Sequence, residues 1–426
     1  MTDLNRRELL ASLGGVAAGA ALGALVPPRA AEAASSMIDA IGDDTTFPRR
    51  KDFSIETGVT FLNSAWSHPL PLAAMRAMRD QIIVRAMAGV TMPESGPRRN
   101  LVKEGFAAMI NAAPEEISFI PNTCTGENLV VNALGIAELA NSGINVVTDA
   151  LHFDGALIHL QALQKQRGLD LRVVMPKDNR IRIEDLEGVV DARTKLVEIS
   201  LVSMYNGFQH DLKAVCDLAH AHGALVYADI IQAAGAVPID VRASGVDFCA
   251  CAGFKWLMSD FGLGFLYVKA SLLEGIVRPQ WGYESVTAAD THFLPGDPPA
   301  DTFLTWTAGA SAGAHFEVGT PAITALAALS VSVPYLNHLG VDRIQTHRLP
   351  LLKKLHAEMP RLGYPALTPA ESTSPIVTFS VKDGKAVQEK LVRARVNARV
   401  APNYVRFSPS VFNDEHDVDR ALEALS

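Results

Sequence analysis

The residues best suited to chemistry in this sequence are Asp229, which ends the run Gly223-Ala-Leu-Val-Tyr-Ala-Asp229, and Lys255, in Gly253-Phe254-Lys255-Trp256. A continuous apolar run ending in Asp reads as a buried parallel strand with a carboxylate at its C-terminal end. Open α/β sheets bind ligands at that end. A carboxylate there is costly unless a cation meets it. A second short strand, Val246 to Ala252, delivers Lys255 among apolar neighbours. Desolvation there favours the neutral amine that forms a Schiff base with an aldehyde. An Asp for a protonated pyridine nitrogen and a Lys for an aldehyde together describe a pyridoxal 5'-phosphate (PLP) site.

Two further stretches offer anion chemistry. Asn122-Thr123-Cys124-Thr125-Gly126-Glu127-Asn128 precedes a helix beginning at Leu129. Hydroxyls and free N–H groups at a helix N-terminus bind phosphate, although the same residues also serve as an ordinary helix cap. Near the C-terminus, Val405 and Phe407 alternate with Arg406 and Ser408, the pattern of a half-buried strand carrying a guanidinium on one face. A guanidinium matches a carboxylate bidentately, so Arg406 is either a substrate reader or half of a surface salt bridge.

The elements that must position these residues follow from hydropathy patterning. From 61 to 310, strand-like runs such as Ile144–Thr148, Leu171–Val174 and Leu196–Ser200 alternate with helical stretches. That alternation is the signature of a mainly parallel sheet covered on both faces, a large α/β domain. Residues 285–302, rich in Pro and Asp, read as a loop at the mouth of the site. Residues 311–426 read as a linker helix region, about 321–356, followed by a smaller C-terminal α/β domain with a strand at Ile376–Val381 and a last helix at Val418–Leu425. Residues 35–60 form an entering arm.

The 426-residue chain has a formal net charge of −8 and no basic block, which argues against nucleic acid or an anionic membrane as partner. Its hydrophobic fraction of 48% permits a large core. Cys249 and Cys251 alternate in one strand and face the same way, and no Cys/His spacing has the form of a zinc site. Arg6-Arg7 before a weakly apolar Gly/Ala-rich stretch, closed by Ala31-Glu32-Ala33, is a twin-arginine export signature, so residues 1–34 are expected to be removed and the mature protein to be periplasmic. Nothing after that segment is expected to cross a membrane.

The segment from Asp229 through Gln232 and Lys255-Trp256-Leu257 to Gly262-Leu-Gly-Phe-Leu-Tyr-Val268 resembles the class V aminotransferase family, which includes cysteine desulfurases, kynureninases and isopenicillin N epimerases. The resemblance runs from Phe61 to the C-terminus. It implies the fold type I architecture of PLP-dependent transferases. It implies that Thr123, Cys124 and Thr125 hold the phosphate and that Gln232 lies beside the phenolic oxygen of the cofactor, with Asn206 as an alternative. His152 or Phe153 would stack on the ring, His152 being the first candidate. Gly319-Thr320-Pro321 matches the run that reaches the partner's phosphate, which implies a homodimer with Thr320 crossing the interface. Arg406 would read the α-carboxylate, with Asn63 and Trp66 as further substrate contacts. Met204 and Phe254 depart from the residues that desulfurase-like members carry. The family's desulfurases hold a persulfide-forming cysteine in the C-terminal half, and here no cysteine follows Cys251. Aminotransferase-like chemistry is therefore the leading expectation. Epimerase or C–S or C–C lyase chemistry comes next, including tailoring of a pyoverdine-type siderophore, and a non-catalytic PLP-binding dimer comes last.

Overall fold

The structure is a computed structural model that describes residues 44–88 and 92–426. The export segment and residues 35–43 of the entering arm lie outside the described residues. Strands are β1 (Thr60–Phe61), β2 (Ile117–Ile120), β3 (Asn145–Asp149), β4 (Asp170–Val174), β5 (Thr194–Ser200), β6 (Leu225–Asp229), β7 (Phe248–Ala252) and β8 (Gly264–Val268), then β9 (Val286–Thr291), β10 (Leu304–Ala308), β11 (Val377–Ser380), β12 (Val396–Asn397), β13 (Arg399–Val400) and β14 (Tyr404–Phe407). The longer helices are α1 (Leu72–Ala88), α2 (Met92–Met109), α3 (Thr123–Ala133), α4 (Asp154–Arg167), α5 (Leu212–Ala221), α6 (Ile323–Leu339), α7 (Val341–Glu358), α8 (Gly384–Arg393) and α9 (Glu415–Leu425).

Seven strands form the central sheet in the order β2-β8-β7-β6-β5-β3-β4. Only β8 runs against its neighbours, β2 and β7; the β7-β6, β6-β5, β5-β3 and β3-β4 pairs are all parallel. The sheet is mainly parallel because its strands are short continuous apolar runs, which need cover on both faces. Alternate residues feed opposite cores. Cys249 and Cys251 enter one apolar cluster and Phe248 and Ala250 the other, so the two cysteines do share a face. All four cysteines are free thiols.

A third apolar cluster, built from α7, β11, β14 and α9, organises the C-terminal layer around the antiparallel sheet β11-β14-β13. Leu62 belongs to this cluster, and β1 pairs with β12. The chain entering the fold is thus laid against the C-terminal layer, which carries residues 63–66 towards Arg406. Helix ends follow ordinary capping chemistry: the Asp211 carboxylate accepts the Ala214 N–H at the start of α5, and the Asp414 carboxylate accepts the Asp417 N–H at the start of α9.

The stretch 285–302 is not a simple loop. β9 and β10 pair antiparallel with Leu304 opposite Thr291, and only 292–303 forms the connection. Both faces of this hairpin are largely exposed, so no apolar alternation marks it in the sequence and the Pro/Asp-rich tip dominates the reading. The remaining strands differ from expectation by one or two residues at their ends.

Candidate active site

Asp229 is the last residue of β6 and is buried. Its Oδ1 accepts the Ile231 N–H at 2.9 Å, and Ser200 is its cross-strand neighbour on β5. Burial raises its pKa to about 6, against the opposing pull of that backbone N–H and of Lys255. It therefore stays ionised at neutral pH while remaining a strong acceptor for a proton on a ring nitrogen.

Lys255 sits just beyond the end of β7. The turn that holds it is fixed by its neighbour: Trp256 Nε1 donates to Gln232 Oε1 at 3.0 Å, and Gln232 Nε2 donates to the Ala65 carbonyl at 3.0 Å. Gly235 takes a positive φ of 86° where the chain after β6 passes this turn; a Cβ there would stand 2.6 Å from the Trp256 carbonyl oxygen. Burial pulls the Lys255 amine down to about 8, partly offset by Asp229 and helped by Arg406. The strand ends thus bring the two expected catalytic residues within electrostatic reach of one another.

At the N-terminus of α3, Asn122 Oδ1 accepts the Thr125 N–H at 3.0 Å, and Thr123 Oγ1 accepts the Ala252 N–H at 3.0 Å. The second bond ties the helix start to the strand that delivers Lys255. Helix geometry leaves the first-turn N–H groups of Thr123 and Cys124 without intrahelical acceptors, an anion cradle beside the amine. The Cys124 thiol is pushed up to about 11 by burial and by Glu127, so it is no thiolate nucleophile. Glu127 turns away, its Oε1 2.9 Å from His159 Nδ1.

Of the two ring candidates, His152 is fully buried, with Nδ1 2.8 Å from Ser200 Oγ. Phe153 remains half-buried, its ring packed on Gly155, where an added Cβ would lie 2.6 Å from the Phe153 ring and 3.1 Å from Cys124 Sγ. Phe153 thus borders the cradle, whereas His152 is buried against Ser200. Asn206 is committed elsewhere: its Nδ2 donates to the Asn179 carbonyl at 2.7 Å and its Oδ1 accepts the Phe208 N–H at 3.0 Å. It is corrected here to a structural residue. Gln232 keeps one amide N–H beyond its bond to Ala65.

Arg406 is not half of a surface salt bridge. It is 4% exposed on β14, with no acidic partner among the described residues. Nη1 donates to the Met204 carbonyl at 2.6 Å, while Nε and Nη2 are buried without acceptors. Burial lowers its pKa to about 10. Two orphaned donors on a guanidinium whose charge reaches Lys255 call for an anionic ligand. Asn63 lies alongside, bridged to Ser408, with its Nδ2 donating to Asn397 Oδ1 at 3.3 Å and its own Oδ1 buried without a partner. Trp66 is 58% exposed with the Arg399 guanidinium 4.7 Å over its ring. Thr320 is exposed and hydrogen-bonded to the Tyr283 hydroxyl. Ser200 escaped the sequence reading; its signal was a hydroxyl at the C-terminal end of the strand beside Asp229.

These groups fit PLP on their own chemistry: an anion cradle for a phosphate, a depressed amine for an aldehyde, a buried carboxylate for a ring nitrogen and an orphaned guanidinium for an amino acid. The comparisons agree. The family model described as aminotransferase class V matches residues 91–420. A probable cysteine desulfurase of Methanothermobacter thermautotrophicus is 30% identical over 319 residues, 72% of this chain and 74% of that one. A cysteine desulfurase from Thermococcus onnurineus NA1 superposes with a TM-score of 0.77 at 22% identity, covering 89% of this chain and 97% of the other. A complex of the cystine C–S lyase C-DES with cysteine persulfide gives 0.74 at 21%, covering 87% and 97%. With its match reaching from α1's end to α9 and this site at its centre, the chain is a PLP-dependent enzyme belonging to the aminotransferase class V family.

Proposed function

We propose that this protein is a lyase that acts on a free α-amino acid bearing a leaving group at Cβ, sulfur being the first candidate. The observation that carries the reading is Arg406, whose Nε and Nη2 are buried without partners and whose charge is felt at Lys255, an arrangement that suits an α-carboxylate. The curated relative named above, a probable cysteine desulfurase, supports C–S chemistry over the aminotransferase-like expectation. Transfer of sulfur through a C-terminal cysteine is not part of the reading, because no cysteine follows Cys251 and the Cys124 thiol is held neutral.

When bound, PLP supplies an aldehyde for the substrate amine and a protonated pyridine that accepts electrons from Cα. The chain's own groups divide the remaining work. Lys255 would hold the cofactor's aldehyde, and its Nζ would serve as the base for the Cα proton. Asp229 keeps the ring proton in place. Thr123, Cys124 and Thr125 anchor the phosphate through the start of α3. Phe153, rather than His152, would stack on the ring, and the spare N–H of Gln232 would meet the phenolic oxygen. Arg406 fixes the carboxylate, with Asn63 and Trp66 bordering it. A homodimer would bring Thr320 to the partner's phosphate.

Incubation with cysteine, cystine and other β-substituted amino acids tests the reaction. Elimination yields keto acid, ammonia and the released sulfur species in equal amounts without an acceptor. Turnover that requires an added keto acid and bleaches the cofactor's colour between half-reactions would instead establish transamination. Alanine as the sole carbon product would establish desulfuration.

The twin-arginine segment supports a periplasmic location as part of the same proposal. Fractionation should find the mature chain, cleaved near Ala33, in the periplasm. Replacing Arg6→Lys and Arg7→Lys together should leave it in the cytoplasm at full length; unaltered export of the pair variant would sink the assignment.

A further inference from the structure

Beside Arg406 stands a second guanidinium, that of Arg399. In the sheet β11-β14-β13, Thr378 of β11 and Arg399 of β13 flank Arg406 directly in register. Residues directly opposite on antiparallel strands share a face. One row across this sheet therefore carries a hydroxyl and two cations, and no carboxylate. Thr378 is committed: its Oγ1 donates to the Tyr205 carbonyl at 2.9 Å, next to the Met204 carbonyl that Arg406 Nη1 meets. Like charges set directly opposite one another destabilise a sheet. The strain is felt, since the Arg399 charge helps to hold the Arg406 pKa down.

The surroundings of Arg399 orient it without neutralising it. Its guanidinium lies 4.7 Å over the Trp66 ring, and it makes no hydrogen bond or ion pair among the described residues. Other arginines of this layer are engaged: Arg395 pairs with Glu56, and Arg420 donates to Thr60 Oγ1 and to the Gly58 and Ala394 carbonyls. A guanidinium laid flat on an indole keeps its N–H edge free to donate in its own plane. Trp66 follows Ala65, whose carbonyl receives the Gln232 amide that steadies the Lys255 turn. Asn63 ties the same loop to Asn397, two residues before Arg399, and keeps its own Oδ1 buried without a partner.

Counting forks shows what is missing. One carboxylate fills one guanidinium fork. An α-carboxylate on the free Nε and Nη2 of Arg406 would satisfy that residue in full. Arg399 would keep an open fork, and a single anion would serve two cations. A second anionic group on the same ligand fills the fork and balances the charge. The order of the two groups follows from their places. Arg406 is buried and its charge is felt at Lys255, whereas Arg399 is partly exposed on the edge strand beside the exposed Trp66. The α-carboxylate thus belongs inside and the second group at the rim.

We propose that the substrate's Cβ substituent itself carries an anionic oxygen group, and that Arg399, stacked on Trp66, is the residue that selects it. The inference rests on the reading of Arg406 as the α-carboxylate partner and narrows the substrate class to acidic side chains. Cysteine, whose side chain carries no such group, would be a poor substrate.

An isosteric pair tests this on the purified PLP-loaded enzyme: S-carboxymethylcysteine against S-carbamoylmethylcysteine, which share a Cβ–S bond and differ in terminal charge. The acid is expected to have the higher kcat/KM by roughly 10- to 100-fold, mainly through KM, the scale of a hydrogen bond to a charged group. Arg399→Gln should bring that ratio close to one, and Arg399→Lys should restore part of it. The wild-type ratio should shrink as salt is raised, because Arg399 is partly exposed. Arg399→Gln should melt no lower than wild type, since it removes one of two opposed like charges. A wild-type ratio near one, or a ratio that survives Arg399→Gln, overturns the proposal. Equal loss on both substrates also overturns it, by assigning Arg399 to the α-carboxylate. Calorimetry with succinate and its monoamide, succinamate, needs no turnover. Tighter binding of succinate that vanishes in Arg399→Gln would uphold the proposal even if no elimination occurs, an outcome that would refute the lyase reading alone. Equal binding of the two by wild type would refute the second anion site and leave the lyase reading intact.

Discussion

Replacing Lys255 with Ala is expected to abolish borohydride-trappable attachment of PLP and to lower kcat by roughly 10²–10⁴-fold, the usual contribution of a positioned general base. The fold should survive the change. Lys255 makes no salt bridge, its Nζ lies 5.8 Å from the Phe254 ring, and burial opposes its charge. Removing such an amine relieves desolvation rather than breaking a contact, so thermal stability should stay level or rise slightly. The pH dependence adds a second signature. The neutral amine is the nucleophile, and its fraction grows as pH rises through the pKa. With the pKa lowered to about 8, about a quarter of the amine is neutral at pH 7.5, against about one in a thousand for an ordinary lysine. The rate at which cofactor-free protein takes up PLP should therefore climb and level off near pH 8 to 9. Covalent trapping that persists in Lys255→Ala, or an uptake rate still rising steeply above pH 10, would remove Lys255 from its assigned role.

The site was unevenly legible in the sequence, and the reason is the range of the interactions involved. Asp229 and Lys255 could be placed because each closes a continuous apolar run, and a parallel strand buried on both faces has no other way to write itself. The start of α3 could be placed because caps are local. His152 and Phe153 could not be told apart, since their assignment depends on Ser200, which belongs to another strand and meets His152 only after β3 and β5 pair. Asn206 was open for the same reason: its carboxamide is consumed by Asn179 and Phe208, contacts that only the folded loop creates. The hairpin β9-β10 was hidden because neither of its faces is buried in the chain, so nothing imposed a period of two. What sequence missed most completely was environment. From the residues alone Arg406 is either a substrate reader or half of a surface salt bridge, and the packing of β14 between β11 and β13 is what shows it buried without an acid.

That missing acid makes Arg406 the most discriminating position for the substrate. Arg406→Ala is expected to raise KM for the true substrate roughly 10- to 150-fold with a smaller change in kcat, because it deletes charge-assisted hydrogen bonds worth about 1.5–3 kcal/mol in both ground and transition states. Arg406→Lys should recover only part of the loss, since an ammonium retains the charge but not the two-pronged fork. A cofactor-side readout accompanies the kinetics: Arg406 helps to hold the Lys255 amine down, so its removal should move the PLP-uptake profile to higher pH. Stability should respond in the opposite sense to activity. A buried guanidinium with one carbonyl partner and two orphaned donors is a net cost to the empty fold, and Arg406→Leu should leave the melting temperature unchanged or raise it. A structural role predicts the reverse, a loss of stability with little effect on KM. Unchanged KM in Arg406→Ala would exclude an α-carboxylate at this position and move an amine without that group ahead as the substrate.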